Sequence, residues 1–62
     1  MKWISCNIKK PEKSMVYKVK SIGIYKDVDR AFYNKPTDAW IYDDGIWLPA
    51  DISLYVTHWY GE

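Results

Sequence analysis

Aromatic density constrains this chain more than any other feature: four Trp, six Tyr and one Phe fall within 62 residues. Rings of this kind remove roughly 200 Å² each from water when fully buried, so together they offer about 2,200 Å². A disordered chain is poor in such residues, and one folded domain spanning residues 1–62 is expected. A body this small buries only about 60% of its surface, which leaves little room for a deep pocket. One side of a miniature sheet does not hide so many rings. The surplus is expected to seek shelter against a partner, because exposed Tyr and Trp are enriched at binding hot spots.

Helical spacing of apolar residues is nearly absent, whereas period-two alternation recurs. The expected fold is mainly β: a small curled antiparallel sheet or barrel of about five strands, with at most one short helix. Residues 3–6 read as a first strand, and 9–14 as a polar loop broken by Pro11. Residues 15–20 alternate, with Met15, Tyr17 and Val19 on one side and Val16, Lys18 and Lys20 on the other. Residues 21–26 continue extended, with Gly23 marking a bulge or a bend. Residues 28–33 pair back, with Val28, Arg30 and Phe32 opposing Asp29, Ala31 and Tyr33. The alternative over 27–33 is a single helical turn capped by Asp27. Residues 34–38 form a turn around Pro36. Residues 39–42 and 46–48 flank Asp43-Asp44-Gly45, which predicts a tight hairpin with positive φ and brings Trp40, Tyr42 and Trp47 together. Residues 49–51 break that strand. Residues 52–60 make the last one, with Leu54, Val56, His58 and Tyr60 opposing Ser53, Tyr55, Thr57 and Trp59.

Charge is divided along the chain. Residues 1–26 carry seven Lys against Glu12, a net +6, while 27–62 carry Arg30 and Lys35 against six Asp and Glu62, a net −5. Such a dipole can pair within the fold, pair between copies, or offer one face to a charged partner. The single cysteine, Cys6, rules out an internal disulfide. The opening residues lack the apolar stretch of a signal peptide, and no apolar run approaches the ~20 residues of a membrane span, so a cytoplasmic protein is expected.

Reactive chemistry is sparse. Cys6 and His58 are the one nucleophile–base combination available, but no Gly-rich turn follows Cys6 to form an oxyanion site. The aspartates match no calcium loop and the lone His58 no zinc motif. No enzyme, no cofactor and no metal are expected. Lys9, Lys10, Lys13, Lys18 and Lys20, with Tyr17 and Tyr25 near them in sequence, resemble the cation–aromatic composition of single-strand binders. The near-neutral total and the acidic second half weigh against that reading.

Trp3-Ile4-Ser5 at the start, Pro11-Glu12, the Tyr42-Asp43-Asp44-Gly45-Ile46-Trp47 middle and Val56-Thr57-His58-Trp59 near the end resemble a family of short phage and prophage proteins of unknown function. Members run on from the final Trp into a Met-Pro-Leu-Pro-like stretch, where this chain has Tyr60-Gly61-Glu62. The resemblance implies a phage-derived protein acting inside a bacterial cell, and a structural role for Thr57 and His58 in tying the termini together. With the spare aromatics, it leads to the expected function: a non-catalytic accessory protein that binds, and inhibits or redirects, a bacterial host protein. The expected binding residues are Asp38, Trp40, Tyr42, Asp43, Asp44 and Trp47. The alternatives are a single-stranded nucleic-acid module built on the Lys-rich half, which ranks below protein binding, and a self-assembling protein or homodimer whose oppositely charged halves meet. No membrane partner is expected.

Overall fold

The computed structural model describes residues 1–46 and 48–61. Among them six antiparallel strands form one open sheet: β1 (Lys2–Ser5), β2 (Met15–Ser21), β3 (Arg30–Asn34), β4 (Ala39–Tyr42), β5 (Ala50–Asp51) and β6 (Val56–Gly61). Their spatial order is β1-β6-β2-β3-β4-β5, so the first and last strands pair along one edge of the sheet. There is no α-helix among the described residues, only two 3₁₀ turns, Gly23–Tyr25 and Lys35–Thr37. The mainly β expectation holds, with an open sheet rather than a closed barrel.

β2 is the element on which the sheet curls. Its first half pairs with β3, from Met15↔Tyr33 to Lys18↔Arg30. Its second half pairs with β6, from Val19↔Trp59 onward. The concave side gathers Ile4, Val19, Ala31, Tyr33, Trp40, Ile52, Val56 and Trp59 into one core. Alternation along β2 and β3 puts Tyr17, Val19, Ala31 and Tyr33 inward, as their spacing predicts.

Several boundaries differ from those expected, each for a local reason. Residues 21–26 do not stay extended. Gly23 takes φ +68° and opens a 3₁₀ turn, held by Ser21 Oγ, which lies 2.5 Å from the Tyr25 carbonyl and 2.8 Å from the Val28 carbonyl. No tight hairpin forms at Asp43-Asp44-Gly45. Asp43 Oδ1 accepts the Gly45 N–H at 2.8 Å and Asp44 Oδ1 the Ile46 N–H at 2.9 Å. These side chains offer the backbone a turn of its own in place of a ladder. β4 instead pairs with residues beyond the loop, Tyr42↔Ala50 and Ile41↔Asp51, so the expected break at 49–51 contains β5. Gly45 does have positive φ, at 79°.

The last strand is shorter than expected. Residues 53–55 turn, and the Tyr55 and Val56 N–H groups both reach back to the Ile52 carbonyl. The register then slips: Lys20 faces His58 but Ser21 faces Val56. Thr57 is the additional residue of this bulge, and the bulge lets Val56 and Trp59, three apart, both point inward. Strict alternation put them on opposite sides.

Candidate functional site

The expected acidic–aromatic site does not assemble. Trp40 is 1% exposed and sits at the centre of the core, with Tyr33 at 4.9 Å and Tyr17 at 6.0 Å between ring centroids. Its side chain is a packing residue and cannot touch a partner, because β4 turns it inward. Tyr42 is half-buried against the same core. Asp43 and Asp44 are exposed, each holding a turn of the loop after β4. Trp47 lies outside the described residues. Asp38 sits apart from them in the left-handed region, at φ 53°. Its Oδ1 accepts the Tyr33 hydroxyl at 2.6 Å and the Lys10 ammonium at 3.0 Å. Those two donors hold the Asp38 carboxyl below the usual carboxylate range, the Tyr33 bond counting most. Burial, then the bond to Asp38, pushes Tyr33 up to about 12. This pair ties the polar loop 9–14 to the sheet and is structural.

The Cys6–His58 combination is also separated. Ser5 is the register partner of His58. Cys6 packs against the core, whereas His58 faces the outer side with its neighbour Lys20. Thr57 Oγ1 lies 3.3 Å from the Lys20 carbonyl and 2.9 Å from His58 Nδ1, with which it shares a hydrogen bond. Burial pushes the Cys6 thiol up, which disfavours the nucleophilic thiolate. Among the described residues Trp40 Nε1 is buried without a nitrogen or oxygen acceptor and is left to the weakly accepting Cys6 sulfur. Among the described residues no three His, Cys, Asp or Glu side chains converge as a metal site.

What does assemble is a face of opposite character. On the outer side of β1, β6 and β2, Trp3 stands opposite Tyr60, their rings edge to face at 5.2 Å. Lys20 Nζ lies 4.6 Å from the Trp3 centroid and Lys18 Nζ 5.9 Å from the Tyr60 centroid. Trp3 remains 40% exposed. This face continues into a groove of about 680 Å³. The groove opens where β6 runs on to Gly61 after its pairing with β2 has ended at Val19↔Trp59. Lys9, Lys13 and Lys18 line it together with Tyr60.

The sequence singled out these lysines but matched them with the wrong rings. Tyr17 turns inward, edge-on to Trp59 at 5.3 Å, and Tyr25 packs on Tyr55 at 4.9 Å. Trp3 and Tyr60 were the rings to find. Alternation in β1 and β6 carries that signal only once the two strands are known to pair.

The expected ring surplus takes a different form too. Of the described aromatics, Tyr33, Trp40 and Trp59 are buried, five Tyr are half-buried, and only Trp3 and Phe32 stand out in solvent. The large apolar side chains left most open are aliphatic: Leu54 at 91%, Leu48 at 90%, Ile8 at 83%, Ile24 at 82% and Ile46 at 81%. No protein-family model, curated protein or solved structure matches this chain.

Proposed function

We propose that this chain is a non-catalytic domain that binds single-stranded nucleic acid on the outer face of β1, β6 and β2. The observation that carries the reading is the placement of Lys20 and Lys18 against Trp3 and Tyr60, beside a groove bordered by Lys9 and Lys13. Lysines neutralise phosphates without reading sequence. A Trp or Tyr ring stacks on any base, worth about 1–3 kcal/mol per base. Asp43 and Asp44 lie away from this face, on the loop after β4 beyond β2 and β3, and Glu12 is the carboxylate that lines the groove beside Lys9, Lys13 and Lys18.

Fluorescence anisotropy with a labelled oligothymidylate of roughly 16 nucleotides tests this directly. Four lysines on single-stranded phosphate predict a log–log salt slope of about −3. Lys18→Glu with Lys20→Glu removes binding. Trp3→Ala weakens it and leaves the salt slope unchanged. An anisotropy that stays flat at low salt rejects the reading.

A second reading rests on a separate observation, the exposed Ile46 and Leu48 beside Asp43 and Asp44. It is the accessory role, capture and inhibition of a bacterial host protein by this loop. A single host protein recovered at stoichiometric yield, and lost with Asp43→Lys plus Asp44→Lys, supports it. Unchanged recovery by that variant counts against it.

A further inference from the structure

The convex side of β2, β3 and β4 carries an unpartnered apolar row. Val16 pairs with Phe32, and Phe32 pairs with Ile41, so the three side chains sit side by side across three strands. Val16 is exposed and Phe32 is 39% exposed. Single exposed apolar residues are ordinary, but a contiguous row on a sheet face is what strands present when they stack on another sheet.

Two charges border the same row. Arg30 lies two residues before Phe32 on β3, and Asp43 two residues after Ile41, just past the end of β4. Both line a groove of about 370 Å³ over the row. They form no ion pair with each other; among the described residues the ion pair is Lys10–Asp38.

We infer that this face is an isologous dimer interface, and that its occupant is a second copy of the chain. Charge complementarity selects the occupant. A copy related by a two-fold axis running along the strands, between β3 and β4, lays Phe32 over Ile41 of the second copy. The same operation lays Arg30 over Asp43 of the second copy, and the reverse pair forms by symmetry. A row with a cation on one side of that axis and an anion on the other is self-complementary under this one rotation. The interface adjoins the nucleic-acid face, since Val16 lines both grooves and Lys18 stands opposite Arg30, but the Trp3–Tyr60 pair lies on the β1–β6 flank and dimerisation is tested without nucleic acid.

The contact falls short of the roughly 800 Å² per partner of a standard interface. Its dissociation constant is therefore expected between roughly 10 μM and 1 mM, weak on the affinity scale. Sedimentation equilibrium of the 62-residue chain without nucleic acid, across that range, is the test. The wild type should show a monomer–dimer equilibrium, and Phe32→Asp should be monomeric throughout. Arg30→Asp and Asp43→Arg should each weaken association about tenfold, and the two together should restore it. Asp43→Asn retains a turn acceptor for Gly45 and should still weaken association, which separates lost charge from lost loop structure. Thermal melts confirm that each variant is folded, and Trp3→Ala should dimerise as wild type. A wild type that stays monomeric to about 1 mM overturns the inference. So does a dimer that survives Phe32→Asp, or a charge swap that restores nothing.

Discussion

The two flanks of the sheet are held by different means. On the β1–β6–β2 flank every strand pairing joins distant parts of the chain. Trp59 Nε1 donates to the Lys9 carbonyl at 2.8 Å across 50 residues of sequence, and Trp3 meets Tyr60 in register. On the β4–β5 flank the strands are sequence neighbours, two ladder pairs and the bonds of Trp40 to Ile52 and Ser53 hold them, and the loop between them leaves Ile46 and Leu48 in solvent. Loop closure is costly before any contact repays it. Closure length does not by itself decide burial: Trp40, 1% exposed, lies on β4, whereas Trp3, 40% exposed, lies on β1.

The widest contrast should come from Trp59→Ala. It removes a buried indole, its hydrogen bond to Lys9 and its contact with Tyr17. A loss of about 3–5 kcal/mol, enough to unfold so small a domain, is expected in urea melts followed by Tyr fluorescence. A variant that still unfolds cooperatively near the wild-type midpoint would break the comparison.

Gly61→Ala probes the same flank more finely. A methyl group there would overlap the six-membered ring of Trp59, and overpacking of this kind costs about 1–3 kcal/mol. The melting temperature should fall, and Trp59→Phe in the same chain should recover part of it.

The loop between the flanks gives a pH signature. The Asp38 carboxyl is held low by Tyr33 and Lys10, so its stabilisation is present above the ordinary carboxylate range and lost as pH falls through the lowered folded value. Tyr33 is raised to about 12, so its contribution is complete below about pH 10 and lost as pH climbs toward the folded value. Tyr33→Phe removes the main donor to Asp38. Melts of this variant should depend less on pH on the acid side, and the loss above pH 10 should shrink.

The smallest effect is expected at the β4–β5 loop. Ile46→Ser with Leu48→Ser should change stability by less than about 0.5 kcal/mol, since neither residue is buried. A larger destabilisation in the same urea melts would show that this loop helps to hold the fold.

Much of the architecture was legible in the chain. Alternation located β2 and β3 and grouped Tyr17 with Val19 and Ala31 with Tyr33 on common sides, because a half-buried strand writes its burial into every second position. The terminal strands do pair, with Ser5 opposite His58, but the Thr57 and His58 side chains expected to tie them bond the Lys20 carbonyl and each other instead. The binding site was read less well. Trp40 drew attention as one of a cluster of rings, yet composition does not say which face a ring takes. A local Asp-Gly signal also suggested a hairpin that two Asx turns displaced.

By itself the sequence determined the strand-built class, the scarcity of reactive groups and the division of charge, all of which follow from composition and short-range periodicity. Only the tertiary structure decided which rings face water. That choice depends on a one-residue bulge at Thr57, which turns Val56 and Trp59 to the same side, and on pairing between residues more than fifty apart that brings Trp3 to Tyr60 beneath Lys20 and Lys18. A one-residue slip reverses every later side chain in a strand, so no local pattern could have specified the face that results.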